Sequence, residues 1–240
     1  HRDLHRVDRR QRQMCIRDSY IYRRKIEGKK FPIVLTHGFL GNRNVLSWLE
    51  TWFIRQEHTT LLWELPGHGS SDCYSIDNPY SVDSFADSLE RVMDEEKISE
   101  AVLCGYSLGG MVNLAHSINY PKRCIGQIVI ASAHRGDYAA PIAEGTITFG
   151  AENIRIREEV AANLKKINLP VERVGKNSLV YSGDMDYCFP LTIVNECVEK
   201  LAVGGKCIQR VEQGIGHGLF PGKEMELQAF IKENENLFES

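Results

Sequence analysis

Two hydrophobic periods alternate along this chain. Short apolar runs at Ile33–Thr36, Thr60–Leu65, Ala101–Cys104, Ile125–Ala131, Ser178–Ser182 and Lys206–Val211 read as buried strands. Tyr20–Ile26 mixes apolar and basic residues, as an exposed strand does, and Gly28 marks a turn. Between these runs the apolar spacing changes to that of helices. Trp48, Leu49, Trp52 and Phe53 form one stripe, and Phe85, Leu89 and Val92 form a second behind the capping residue Ser81. Met111–Ile118 reads as a helix ended by Pro121, Leu191–Leu201 as another, and Leu227, Phe230 and Ile231 as the inner face of a last one. Strands alternating with helices predict an α/β protein: a mostly parallel, doubly wound sheet covered on both faces. Sites in such sheets form beyond the carboxyl ends of the strands.

The stretch over about 133–176 departs from this rhythm. It is more charged, and Val160, Leu164 and Ile167 predict one amphipathic helix within it. It reads as a short insertion.

Residues 1–18 also differ, with six Arg, three Asp and no helical or strand period. Their core and next residue, "RRQRQMCIRDS" (Arg9–Ser19), resemble a translated sequencing adapter. They are therefore read as a non-native or disordered tail rather than a basic arm, leaving one domain over 19–240. Without them the chain holds 23 basic and 29 acidic residues, a net charge of −6, which removes the main support for a nucleic-acid partner. No apolar run approaches the roughly 18 residues of a membrane span. Seven dispersed cysteines, with no CxxC, argue against a disulfide framework and a zinc site and for a reducing, cytoplasmic setting.

The chemistry concentrates in three places. Gly105-Tyr106-Ser107-Leu108-Gly109 is a G-x-S-x-G between a strand and a helix. Alone, it fits either a glycine-rich turn with a capping serine or a nucleophile raised on a sharp turn at a helix N-terminus. A serine hydroxyl needs a base. His217, in "EQGIGHGLF" after the last strand, is either that base or a solvated loop residue. "VYSGDMDYCFP" offers Asp184 and Asp186 to hold the imidazole.

The order Ser107, Asp186, His217 resembles the α/β-hydrolase superfamily. That resemblance favours Asp186 as the acid, because Gly183 and Pro190 flank it at the family's spacing, and leaves Asp184 as a turn or cap residue. "LTHGFLG" (Leu35–Gly41) is similar to the family's loop after an early strand, which implies an oxyanion hole of the Phe39 and Leu108 amides. "LPGHGSSD" matches another family loop, in which His68 is expected to be structural. The resemblance covers residues 20–240 and implies no metal and no organic cofactor. It also implies a first strand that this chain is expected to lack, and it identifies residues 133–176 as a small cap.

Three functions follow as expectations. The first is a serine hydrolase cleaving an ester, thioester or related acyl bond of a small molecule. The second is a lyase, because "HGFLG", "LPGHG" and "GYSLGG" also resemble the menaquinone-pathway synthase that eliminates pyruvate from a succinyl-cyclohexene carboxylate, the 2-succinyl-6-hydroxy-2,4-cyclohexadiene-1-carboxylate synthase type. That family commonly carries Arg where this chain has Met111, and a thioether does not pair with a carboxylate. The third is a non-enzymatic ligand-binding protein on a hydrolase scaffold. Arg135, in "HRGDYAAP", is either a solvated loop residue or a holder of an anionic group.

Overall fold

The computed structural model describes residues 20–141, 151–218 and 222–239. The tail over 1–18 and the strand expected to be missing ahead of Tyr20 lie outside the described residues.

Seven strands form one sheet: β1 (Arg23–Ile26), β2 (Lys30–Thr36), β3 (His58–Trp63), β4 (Ala101–Tyr106), β5 (Cys124–Ile130), β6 (Ser178–Gly183) and β7 (Cys207–Glu212). Their spatial order is β1-β3-β2-β4-β5-β6-β7. Only β1 runs antiparallel, pairing with β3 from Arg23↔Trp63 to Ile26↔Thr60; every other pairing is parallel. β3 and β4 lie on opposite sides of β2, so the order reverses there. The crevice beyond the carboxyl ends of β2 and β4 is the switch point at which such sheets bind ligands.

The α-helices that cover the sheet are α1 (Ser47–Arg55), α2 (Val82–Glu95), α3 (Leu108–Asn119), α4 (Ala151–Leu164), α5 (Leu191–Gly204) and α6 (Glu224–Asn234). The strands are apolar on both faces because both are covered. Val34, Leu103, Val129 and Val180 join one core with Phe85, Leu89, Met111, Leu114, Ile193 and Cys197 of α2, α3 and α5. Their neighbours Ile33, Leu35, Val102, Cys104, Ile128 and Leu179 join the other, with Leu49 and Phe53 of α1 and Leu227, Phe230 and Ile231 of α6. The two-residue period of each strand thus feeds two separate cores.

Several boundaries differ from the sequence expectation. α3 starts at Leu108, not Met111, and takes in Gly109 and Gly110. Packing overrides their low helix propensity: a Cβ on Gly109 would lie 2.2 Å from Thr36 O and one on Gly110 2.6 Å from Ser132 Cβ. β5 ends at Ile130 because Ala131 takes φ 46, which turns the chain off the sheet. β3 spans His58–Trp63, and Leu65 lies in the following loop. The helix of the insertion ends at Leu164. Its buried stripe is Ile156, Val160 and Leu164, while Ile167 reaches the same core from the loop beyond. Ser81 caps α2 as expected, its Oγ accepting from Ser84 N at 3.1 Å.

Candidate active site

β4 ends where Ser107 begins. Ser107 has φ 55 and ψ −123, backbone that a residue with a Cβ adopts at a cost of about 1–3 kcal/mol. Close packing enforces the turn: Ser107 N donates to Ile130 O at 2.9 Å, and a Cβ on Gly105 would lie 2.4 Å from Gly109 O. The strained turn raises the hydroxyl above the sheet at the N-terminus of α3.

The structure brings Ser107, His217 and Asp186 into one chain of contacts. Ser107 Oγ lies 2.9 Å from His217 Nε2, and His217 Nδ1 lies 2.9 Å from Asp186 Oδ2. A carboxylate only accepts, so Nδ1 is the donor to Asp186, and it is the neutral ring of this tautomer that offers an Nε2 lone pair to the serine. The other carboxylate oxygen, Oδ1, accepts from the Cys188 and Phe189 amides at 2.8 and 2.9 Å. Asp184 has the turn role expected of it: its Oδ1 accepts from Gly214 N at 2.7 Å and Ile215 N at 3.3 Å, tying down the loop that carries His217.

Phe39 and Leu108 line the same cavity as Ser107 and His217, which measures about 160 Å³. The other walls are Met111 and Leu164 with Ala139, Cys188 and Phe189, and Tyr187 stands exposed at the rim. Among the described residues no Lys or Arg lines it. Arg135 instead faces Asp137 at 3.4 Å and Glu196 at 3.8 Å.

Two buried histidines brace the loop bearing Phe39. His37 Nδ1 donates to Gly38 O at 2.7 Å, and its Nε2 accepts from Leu65 N at 3.1 Å. Burial, helped by the neighbouring His68, pushes the His37 imidazole down to about 3, and burial pushes His68 down to about 4. Both therefore stay neutral near pH 7. His68 donates from Nδ1 to Pro66 O at 3.0 Å and packs beside Phe39, a structural place as expected. Beneath them the buried Glu64 carboxylate accepts from Arg43 N and Nη1, each at 3.0 Å, and from Ser70 N at 2.6 Å, joining the loops after β2 and β3.

The sequence reading passed over several of these residues. Tyr106 stacks on His217, with ring centroids 5.6 Å apart, and donates its hydroxyl proton to His217 O at 2.9 Å. Its place beside Ser107 was the available signal. Leu164 and Ala139 reach the cavity from the insertion, and nothing in their local sequence announces it.

The comparisons agree with this architecture. A family model described as alpha/beta hydrolase fold matches residues 32–160. Over 129 residues the chain is 32% identical to the 2-succinyl-6-hydroxy-2,4-cyclohexadiene-1-carboxylate synthase of Yersinia pseudotuberculosis, a match covering 52% of this chain and 39% of that protein. A carboxylesterase structure from the thaumarchaeon Nitrososphaera gargenis superposes with TM-score 0.74 at 16% identity, covering 92% of this chain and 95% of that one. A thermophilic esterase from Thermogutta terrifontis gives TM-score 0.74 at 17% identity, covering 92% and 94%. These structural likenesses show the shared fold.

Proposed function

The chain belongs to the alpha/beta hydrolase fold family, and on that premise we propose that it is a serine hydrolase cleaving an uncharged ester, thioester or related acyl bond. The observation that carries this is the chain of 2.9 Å contacts from Ser107 Oγ through His217 to Asp186. Ser107 Oγ attacks the acyl carbonyl while His217 Nε2 takes its proton. Asp186 orients the ring and stabilises the imidazolium. The Phe39 and Leu108 amides hold the oxyanion, and losing one such donor typically costs about 10²–10³ in rate. His217 then protonates the leaving group, and a water, deprotonated by the same imidazole, releases the acid and restores Ser107.

The cavity size supports a reading of the acyl group. Roughly 150 Å³ of apolar space holds a benzene-sized molecule, so a space of about 160 Å³ suits a short aliphatic or single-ring acyl group. The second reading, elimination of pyruvate from a succinyl-cyclohexene carboxylate, is favoured by the partial match to the Yersinia synthase. The Met111 wall opposes it, because a thioether leaves substrate carboxylates unpaired.

Fluorophosphonate labelling tests the proposal. Wild type becomes labelled at Ser107, and Ser107→Ala does not. An unlabelled wild type, or a variant that still labels, overturns it. Turnover of the synthase substrate without ester hydrolysis would establish the second reading, and ligand-induced stabilisation with no turnover of either substrate would indicate a binding protein.

A further inference from the structure

Cys188 has no part in acyl transfer, yet it completes a second constellation at the base of the same site. A carboxylate oxygen of Asp186, the sulfur of Cys188 and a ring nitrogen of His217 all lie within 4.8 Å of one another. Asp186 and Cys188 are buried, and His217 opens to the cavity. Asp186 and Cys188 both sit on the loop after β6, which is held closed where the Cys188 main-chain amide donates to Asp186 Oδ1 at 2.8 Å.

From this geometry we infer an inhibitory site for a borderline-soft divalent cation, Zn²⁺ being the type ion, held by Asp186, Cys188 and His217. One thiolate, one imidazole and one carboxylate form a three-ligand set that leaves a fourth tetrahedral position open toward the cavity. A thiolate selects such metals over Mg²⁺ and Ca²⁺.

The chemistry balances. The incoming Zn²⁺ displaces the Cys188 thiol proton to solvent and bonds the sulfur and an Asp186 oxygen. At His217 it takes Nδ1, the nitrogen facing Asp186. The Nδ1 proton passes by way of solvent to Nε2, so the ring stays neutral and one proton is released per ion. Thiolate and carboxylate then cancel the ion's charge, which suits a buried site. His217 is left with a proton on Nε2 and no lone pair for Ser107. Metal binding thus locks the tautomer that does not activate the serine. This inhibitory consequence rests on the role proposed above for His217, whereas binding of the ion does not.

The test uses the whole chain with Co²⁺ as a spectroscopic probe and Zn²⁺ as inhibitor. Cobalt is expected to give a saturable thiolate-to-metal charge-transfer band in wild type and in Ser107→Ala. The band is lost in Cys188→Ser and Asp186→Asn, each checked as folded by circular dichroism. ZnCl₂ is expected to slow fluorophosphonate labelling of wild type, and EDTA to restore it. In Cys188→Ser the half-inhibiting zinc concentration, measured against that variant's own metal-free rate, rises at least about tenfold, the lower bound for losing even an outer-shell partner. No band in wild type overturns the inference. So does a band surviving in Cys188→Ser, which would assign it to another thiol such as the exposed Cys73. Equal zinc inhibition of the two proteins overturns it as well. If the serine hydrolase reading fails instead, labelling is absent while the cobalt band remains.

Discussion

Tyr106 holds His217 twice, stacking on its imidazole at 5.6 Å and donating to its carbonyl at 2.9 Å. The residue before the proposed nucleophile Ser107 thus positions the imidazole proposed as its base. Phe189 flanks the same imidazole at 5.8 Å.

Tyr106→Phe keeps the ring and removes the donor. A net hydrogen bond is worth about 1 kcal/mol, so kcat is expected to fall about fivefold with KM nearly unchanged. Tyr106→Ala, which also loses the stack, falls further. Steady-state kinetics on a short-chain ester decide it, and a Tyr106→Phe enzyme with wild-type kcat removes the positioning role.

Asp186→Asn preserves the shape of the carboxylate but presents the wrong partner to Nδ1, and about a 10⁴-fold drop in kcat is expected. Ser107→Ala is more severe, and adding His217→Ala to it costs little more, because the residues act as a unit. Additive losses in the double variant would contradict the shared mechanism.

Leu164 and Met111 wall the cavity at about 160 Å³. In wild type, kcat/KM across chromogenic esters of increasing acyl length is expected to peak at a short chain. Leu164→Ala opens the wall contributed by α4 and moves the peak toward longer chains. An unchanged profile would mean that the acyl group lies elsewhere.

His37 and His68 are buried and neutral, pushed down to about 3 and about 4 from an ordinary 6.5. The unfolded chain therefore takes up their protons first as pH falls. Stability should be insensitive to these groups above about pH 6.5 and be lost from there down to about pH 4 for His68 and about pH 3 for His37, by up to ~1.4 kcal/mol per pH unit for each imidazole. Thermal melts across this range check it, and His68→Gln should show a shallower acid slope than wild type.

Much of the architecture is legible in the sequence because it depends on local periodicity. The runs Ile33–Thr36, Ala101–Cys104 and Ser178–Ser182 fall within strands, and Ser81 caps its helix. Ser107 at a strand-to-helix turn is equally local, since a Cβ on Gly105 would lie 2.4 Å from Gly109 O within the same turn. Chain order nominated His217, and the flanking Gly183 and Pro190, at the spacing of the family the chain resembles, nominated Asp186 over Asp184. Other features were not legible. α3 starts at Leu108 because packing outweighs the propensity of Gly109 and Gly110. Cys188 reads as one dispersed cysteine among seven until the loop after β6 folds it against Asp186 and His217.

The sequence by itself thus determined which faces of the strands and helices are apolar, and it nominated the side chains proposed to carry the chemistry, because these follow from residue type and spacing. Tertiary structure alone decided what surrounds them: the 31 residues from Asp186 to His217 and the 110 from Ser107 to His217 close into 2.9 Å contacts, and Leu164 of the insertion becomes a cavity wall. Those distances are set by crossovers and packing between elements remote in the chain, and no local pattern records them.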